Sequence, residues 1–244
     1  MDLDDIPVGR VLSRREALAF LGASSTLLFF GCSSSADATA PITANSSCLV
    51  RPELTEGPYY VDEELNRSDI RSDPSSGAVQ DGALLALTFN VSSAGSNVCT
   101  PLANAVVDVW HCNAVGVYSD VSDHGFRTAG QKFLRGYQVT GSDGVARFTT
   151  IYPGWYQGRA VHIHFKVRSS GSSSSAYEFT SQLFFDDSLT DQVHAQQPYA
   201  SNGQRDLRNA QDGIYQQGGS QLVLNVSQID QGYAATFDVA LDNS

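Results

Sequence analysis

Basic residues are scarce in this chain. Lys and Arg number 15 against 26 Asp and Glu, a formal net charge of −11 over 244 residues. That balance argues against nucleic acid and against an anionic membrane surface as partners, since both attract cations. Long apolar runs are also lacking. The best, Ala17 to Phe30, is broken by Gly22 and by Ser24 to Thr26, and it falls short of the roughly 20 residues that a spanning helix needs. The mature part is therefore expected to be soluble. Cysteine is sparse, at four residues, and no internal repeat is present.

The apolar run nevertheless has a role to suggest. Ser13-Arg14-Arg15 precedes it, and paired arginines ahead of a short apolar core form the pattern of a twin-arginine export signal. Two processing sites compete. Ala38-Thr39-Ala40 fits small-x-small cleavage, whereas Phe29-Phe30-Gly31-Cys32 resembles a lipobox with Phe29 in the usual leucine position. Use of the second would place a lipid anchor on Cys32. Ser33 to Ser47 is low-complexity Ser/Ala/Thr and reads as a tether. The expected organisation is an export signal and the start of the tether over 1–40, tether over 41–47, and one domain over 48–244. The expected location is periplasmic, cell-surface or secreted. Either cleavage removes Cys32 from disulfide chemistry, leaving Cys48, Cys99 and Cys112. Three thiols in an oxidising compartment imply one bridge and one odd residue. Cys48 and Cys99 lie beside loop-like stretches and are expected to pair, with Cys112 buried as a small hydrophobe.

From Leu84 onward, short apolar runs alternate with turn residues. Strands are expected at Leu84 to Val91, Ala105 to Trp110, Phe133 to Val139, Val145 to Ile151, Val161 to Val167, Phe179 to Phe185, Gln221 to Val226 and Ala234 to Leu241. Several junctions carry the Gly, Asn and Asp of tight turns, as in Gly141-Ser142-Asp143-Gly144. Helical periodicity is poor outside Ser188 to Gln197. The fold class this predicts is all-β, an antiparallel β-sandwich with long loops and at most one or two short helices.

Chemistry concentrates between Trp155 and Val167, W-Y-Q-G-R-A-V-H-I-H-F-K-V. On a strand, the period of two turns His162 and His164 to the same face, where both rings can meet one ion. Tyr156 and Arg159 lie just upstream, and Tyr118 closes an earlier segment. Tyrosinate is a hard anionic donor, and a phenol ionises at neutral pH only with strong help, which a trivalent cation gives. Zinc favours cysteine, histidine or carboxylate instead. Two phenolates and two neutral imidazoles therefore favour ferric iron, with net charge +1 remaining for an added hydroxide or ionised diol.

Four segments carry a resemblance: T-E-G-P-Y-Y-V-D (55–62), V-D-V-W-H-C-N-A-V-G-V-Y (107–118), Y-P-G-W-Y-Q-G-R-A-V-H-I-H-F (152–165) and S-Q-L-F-F-D (181–186). Together the chain resembles the intradiol ring-cleavage dioxygenases, in particular an exported single-domain branch, over about residues 48 to 241. The resemblance implies non-haem Fe(III) held by Tyr118, Tyr156, His162 and His164. It also implies an active-site arginine at Arg159 and a pocket glutamine at Gln182. The substrates it implies are a catechol and O2, the product a cis,cis-muconate. Gly158 stands where protocatechuate enzymes carry a tryptophan, and the N-terminal helical dimerisation region of cytosolic catechol enzymes is not expected here. The diol and the assembly, a homodimer included, are therefore left open.

Two other readings use the same residues. In a non-catalytic extracellular binding module, Tyr59, Tyr60, Trp110, Trp155 and Tyr156 would form a platform. In an Fe(II) oxygenase, two histidines would be joined by a carboxylate, Asp108 or Asp120.

Overall fold

The computed structural model describes residues 48–94, 98–122, 126–169 and 177–242. The leader, the tether and Cys32 lie outside them. Among the described residues, nine strands form two sheets, with one short helix and several 3-10 turns. The first sheet holds β1 (Leu84–Ala94), β2 (Cys99–Pro101), β5 (Val145–Ile151), β8 (Val226–Ile229) and β9 (Gly232–Asp242). The second runs β4 (Arg135–Val139), β3 (Ala105–Trp110), β6 (His162–Ser169), β7 (Glu178–Phe184). The all-β sandwich is thus present. One pairing departs from the antiparallel pattern: β1 and β9 run parallel from Leu85↔Tyr233 to Ala94↔Asp242.

Alternation builds the core. Along β1, Leu85, Leu87, Phe89 and Val91 are buried and their neighbours are partly open. Phe89 meets Phe148 of β5 and Phe237 of β9, with ring centroids 6.0 and 6.2 Å away, and reaches across to Phe165 of β6 at 5.2 Å. Ile163, Phe165 and Val167 therefore face the other sheet, and the period of two turns His162, His164 and Lys166 to the outer face. That outer face is itself covered. Lys166 is buried there, paired with Glu56 and Glu178, and sits 4.1 Å from the Tyr60 ring centroid.

The α-helix of the described residues, α1 (Asp187–His194), starts where the Asp186 side chain accepts the N–H groups of Ser188 and Leu189, both at 2.9 Å. The expected strand at Gln221 to Val226 is not formed. Gly219–Gln221 is a 3-10 turn, Val223 makes one isolated bridge to Phe184, and β8 begins only at Val226. Leu222 and Leu224 are buried as a strand pattern demands, but one bridge is all the partner they find. Cys48 is bonded to Cys99, with Cα atoms 5.4 Å apart, and Cys112 is free and buried.

Candidate metal centre

Strand register sets the first row of the site. Trp110 of β3 lies opposite His164 of β6, and His164 lies opposite Gln182 of β7. Directly paired residues share a face, so the three side chains stand side by side on the outer face. The indole of Trp110 stacks on His164, with centroids 5.0 Å apart and planes 6° from parallel.

Two loops close over this row. In the first, Asn113 ties a tight turn: its backbone N–H donates to Val117 O at 2.8 Å, and its side-chain oxygen accepts Val115 N and Val117 N. Tyr118 follows, buried to 1% exposure. The second loop carries Pro153 to Ala160. Its Gly154 N–H donates to Asn113 O at 3.1 Å, so the loops touch backbone to backbone. A Cβ at Gly116 would lie 2.2 Å from Trp155 O, and one at Gly154 2.4 Å from Ala114 O. Only glycine permits that approach.

The six residues singled out in the sequence come together here. His162 Nε2 and His164 Nε2 are 3.0 Å apart, and Tyr156 Oη is 3.3 Å from His162 Nε2. The Tyr118 ring meets those of Tyr156 and His164, with centroids 5.7 and 6.2 Å away. His162 Nδ1 contacts Ala160 O at 2.6 Å. A carbonyl can only accept, so Nδ1 carries the proton and Nε2 presents a bare lone pair. Arg159 Nη2 donates to Gln182 Oε1 at 2.6 Å, and Gln182 Nε2 donates to Thr55 O at 2.9 Å.

Burial keeps His162, His164 and Tyr118 neutral unless a cation arrives. It lowers His162 to about 3, with the Arg159 charge adding to it, and holds His164 well below its usual value, with the His162 and Arg159 charges adding to it. Burial also pushes the Tyr118 phenol well above its usual value, and its hydroxyl has no hydrogen-bond partner among the described residues. A buried, unsatisfied phenol beside the bare lone pair of His162 Nε2 is costly alone and suited to a hard trivalent cation, which reverses the local preference for neutrality. Tyr118, Tyr156, His162 and His164 could hold such an ion.

The rival constellations are not assembled. Asp108 accepts Arg168 Nε at 2.9 Å, and Asp120 accepts Gly130 N at 2.6 Å. Among the described residues, no third His, Cys, Asp or Glu joins the histidine pair. Trp110 is only 2% exposed and packs on Tyr60 and His164, so it offers no open platform. Beside Tyr156, a Cβ on Gly158 would meet nothing within 4 Å, so that side of the site is open.

Two contributors went unread in the sequence. Tyr59, considered only as part of a platform, stacks on Tyr118 with centroids 4.5 Å apart and planes 29° from parallel. Asp212 is fully buried and accepts Arg159 Nε at 3.0 Å. Burial alone would raise its carboxyl; the Arg159 charge and backbone N–H donors outweigh that and hold it below the usual range. Asp212 sits in a polar stretch with no local signal to mark it.

The two-sheet sandwich thus gathers these tyrosines and histidines on one outer face. Residues 55–242 match the family model described as Dioxygenase. The chain belongs to the intradiol ring-cleavage dioxygenases. It is similar to an intradiol ring-cleavage dioxygenase of Tetranychus urticae, 29% identical with a TM-score of 0.69 over 80% of this chain and 96% of that one. A second likeness is to the dioxygenase domain of a carbohydrate-binding fusion protein from Streptomyces sp. SirexAA-E, 26% identical, TM-score 0.54, covering 79% and 98%. Catechol 1,2-dioxygenase 1 of Acinetobacter lwoffii is 30% identical over 155 residues, 54% of this chain and 45% of that protein. The chain thus spans under half the length of that curated relative.

Proposed function

We propose that this protein is a non-haem Fe(III) dioxygenase that cleaves a catechol between its two hydroxyl-bearing carbons. Both atoms of O2 would enter a cis,cis-muconate-type dicarboxylic acid. The observation that carries this reading is the convergence on His162 Nε2 of His164 Nε2 at 3.0 Å and Tyr156 Oη at 3.3 Å, beside the unpartnered Tyr118 hydroxyl.

Tyr118, Tyr156, His162 and His164 would hold the ion. Ferric iron bound there would supply Lewis acidity to activate an ionised diol toward O2. The residues divide the remaining work by their burial. Tyr118 is enclosed and stays in place. Tyr156 is only partly buried, next to the open side at Gly158, so its Oη can swing away and take a proton from the entering diol. His162 keeps its proton on Nδ1 through Ala160 O and takes none from substrate. Arg159 holds a fixed positive charge against Gln182, where it favours negative charge developing on the ring.

Purified, iron-loaded protein should show a broad visible tyrosinate-to-iron band and consume O2 with a panel of diols, giving products of substrate mass plus one O2. A colourless protein with full iron, or a product cleaved beside the diol, would overturn the reading. Export also belongs to the proposal. N-terminal sequencing of secreted protein should begin after Ala40, or mass analysis should find lipid on Cys32; a cytoplasmic, full-length chain would contradict both.

A further inference from the structure

Asp212 lies outside the proposed ligand set, yet four hydrogen bonds end on its carboxylate. Oδ2 accepts Arg159 Nε at 3.0 Å and Ala160 N at 2.6 Å. Oδ1 accepts Ile214 N at 2.7 Å and Tyr215 N at 2.9 Å. The second pair anchors the carboxylate to its own turn; the first reaches into the loop that carries Tyr156.

The consequence is directional. Arg159 is gripped on two edges, Nε by Asp212 and Nη2 by Gln182 at 2.6 Å. Gln182 is itself fixed to Thr55 O. The guanidinium is a planar fork, so two anchored edges fix its plane. Ala160, held by the same Asp212 oxygen, offers its carbonyl to His162 Nδ1 at 2.6 Å. One buried carboxylate therefore stands behind both the proposed charge-stabilising group and one proposed ligand.

We propose that Asp212 is a positioning residue, setting the plane of Arg159 toward the bound diol. This rests on the dioxygenase reading above. Asp212 touches neither substrate nor metal in this scheme; it acts through Arg159. Outer partners of this kind change activity by roughly 10–100-fold when altered.

The informative substitution is Asp212→Glu, which keeps the charge and both acceptor oxygens and moves them by one methylene. Asp212→Asn is harsher, because an amide leaves two of the four donors without an acceptor, and it serves as the second variant if it folds. Asp212→Glu should bind iron and keep its visible band near wild type, with its thermal midpoint lowered only by the strain of one extra buried methylene. Its kcat per bound iron should fall about 10–100-fold with little change in KM. In an Arg159→Ala background the same substitution should have a further effect of about 2-fold or less, since coupled residues do not add. A crystal structure of metal-free Asp212→Glu should show the Arg159–Gln182 hydrogen bond broken.

A merely structural Asp212 would lower the thermal midpoint and leave kcat per iron intact. That result, equal losses with and without Arg159, or an unmoved Arg159 in the crystal would each overturn the positioning role while wild-type turnover stands. Wild-type protein that cleaves no diol would overturn the parent reading, and the role of Asp212 with it.

Discussion

Trp110 and His164 stack face to face, 5.0 Å between centroids and 6° between planes. His164 Nδ1 has no hydrogen-bond partner among the described residues, in contrast to His162, whose Nδ1 is fixed by Ala160 O. The indole therefore holds the orientation of the His164 ring, as the Ala160 carbonyl holds that of His162. Trp110→Ala should cost about 3–5 kcal/mol of stability and release the ring. Iron content after dialysis should drop in this variant, while Trp110→Phe, which retains a stacking surface, should hold more iron. Equal iron in wild type and Trp110→Ala would contradict the orienting role.

The loops bearing Tyr118 and Tyr156 are locked by contact between main chains. Gly116 has φ +81°, and its missing Cβ leaves room for Trp155 O. Gly116→Ala meets two penalties: about 1–2 kcal/mol for the left-handed backbone and about 1–3 kcal/mol for forcing the loops apart. Denaturant unfolding should show the sum, and the visible band of iron-loaded protein should weaken because both tyrosines shift. Gly158→Ala has open space around the added Cβ and meets only the backbone penalty of φ +85°. Similar losses in the two variants would remove the packing argument.

Much of this arrangement was legible along the chain. Ala105–Trp110 and Val145–Ile151 were bounded correctly because turn residues flank runs rich in apolar and β-branched residues. The His162/His164 alternation placed both rings on one face for the same reason. Parallel pairing of β1 with β9 was not legible, since local periodicity says nothing about which distant strand lies alongside. Cys99–Pro101 was too short to register as a strand. Asp212 escaped because its importance comes from Arg159, 53 positions away. Tyr59 escaped similarly: a tyrosine in a loop shows its ring partner only once the loop is closed over Tyr118.

His111 offers a pH test that does not involve the proposed ligands. It is fully buried, with Nδ1 at 2.8 Å from Cys112 O and Nε2 at 2.6 Å from Thr150 Oγ1. Burial lowers it to about 4, against a smaller opposing effect of the Cys112 hydrogen bond. The unfolded chain then binds this proton near pH 6.5 and the folded chain only near 4. Stability is full above the unfolded value and falls as pH drops from about 6.5 toward 4, by up to ~1.4 kcal/mol per pH unit from this residue. Unfolding of metal-free His111→Gln between those limits should show a shallower slope than wild type. An unchanged slope would mean that His111 is not the titrating group.

A cavity of about 10 Å³ is bordered by Tyr60, Glu63, Trp110 and Arg135, behind the Trp110–His164 stack. Three buried atoms of its lining residues have no partner among the described residues: Glu63 Oε1, Trp110 Nε1 and Arg135 Nη1. One acceptor and two donors around a space of water size are the requirements for a bound water. The other edges of these groups are already engaged, Glu63 with Lys132 and Arg135 with Ser119 O at 2.7 Å. A high-resolution crystal structure should place one ordered water within hydrogen-bond reach of all three atoms. Trp110→Phe keeps the stack but deletes a donor, and should lower stability by about 1 kcal/mol with a weaker water peak. A dry cavity in the wild-type crystal would mean that these polar groups are satisfied by rearrangement of their own side chains.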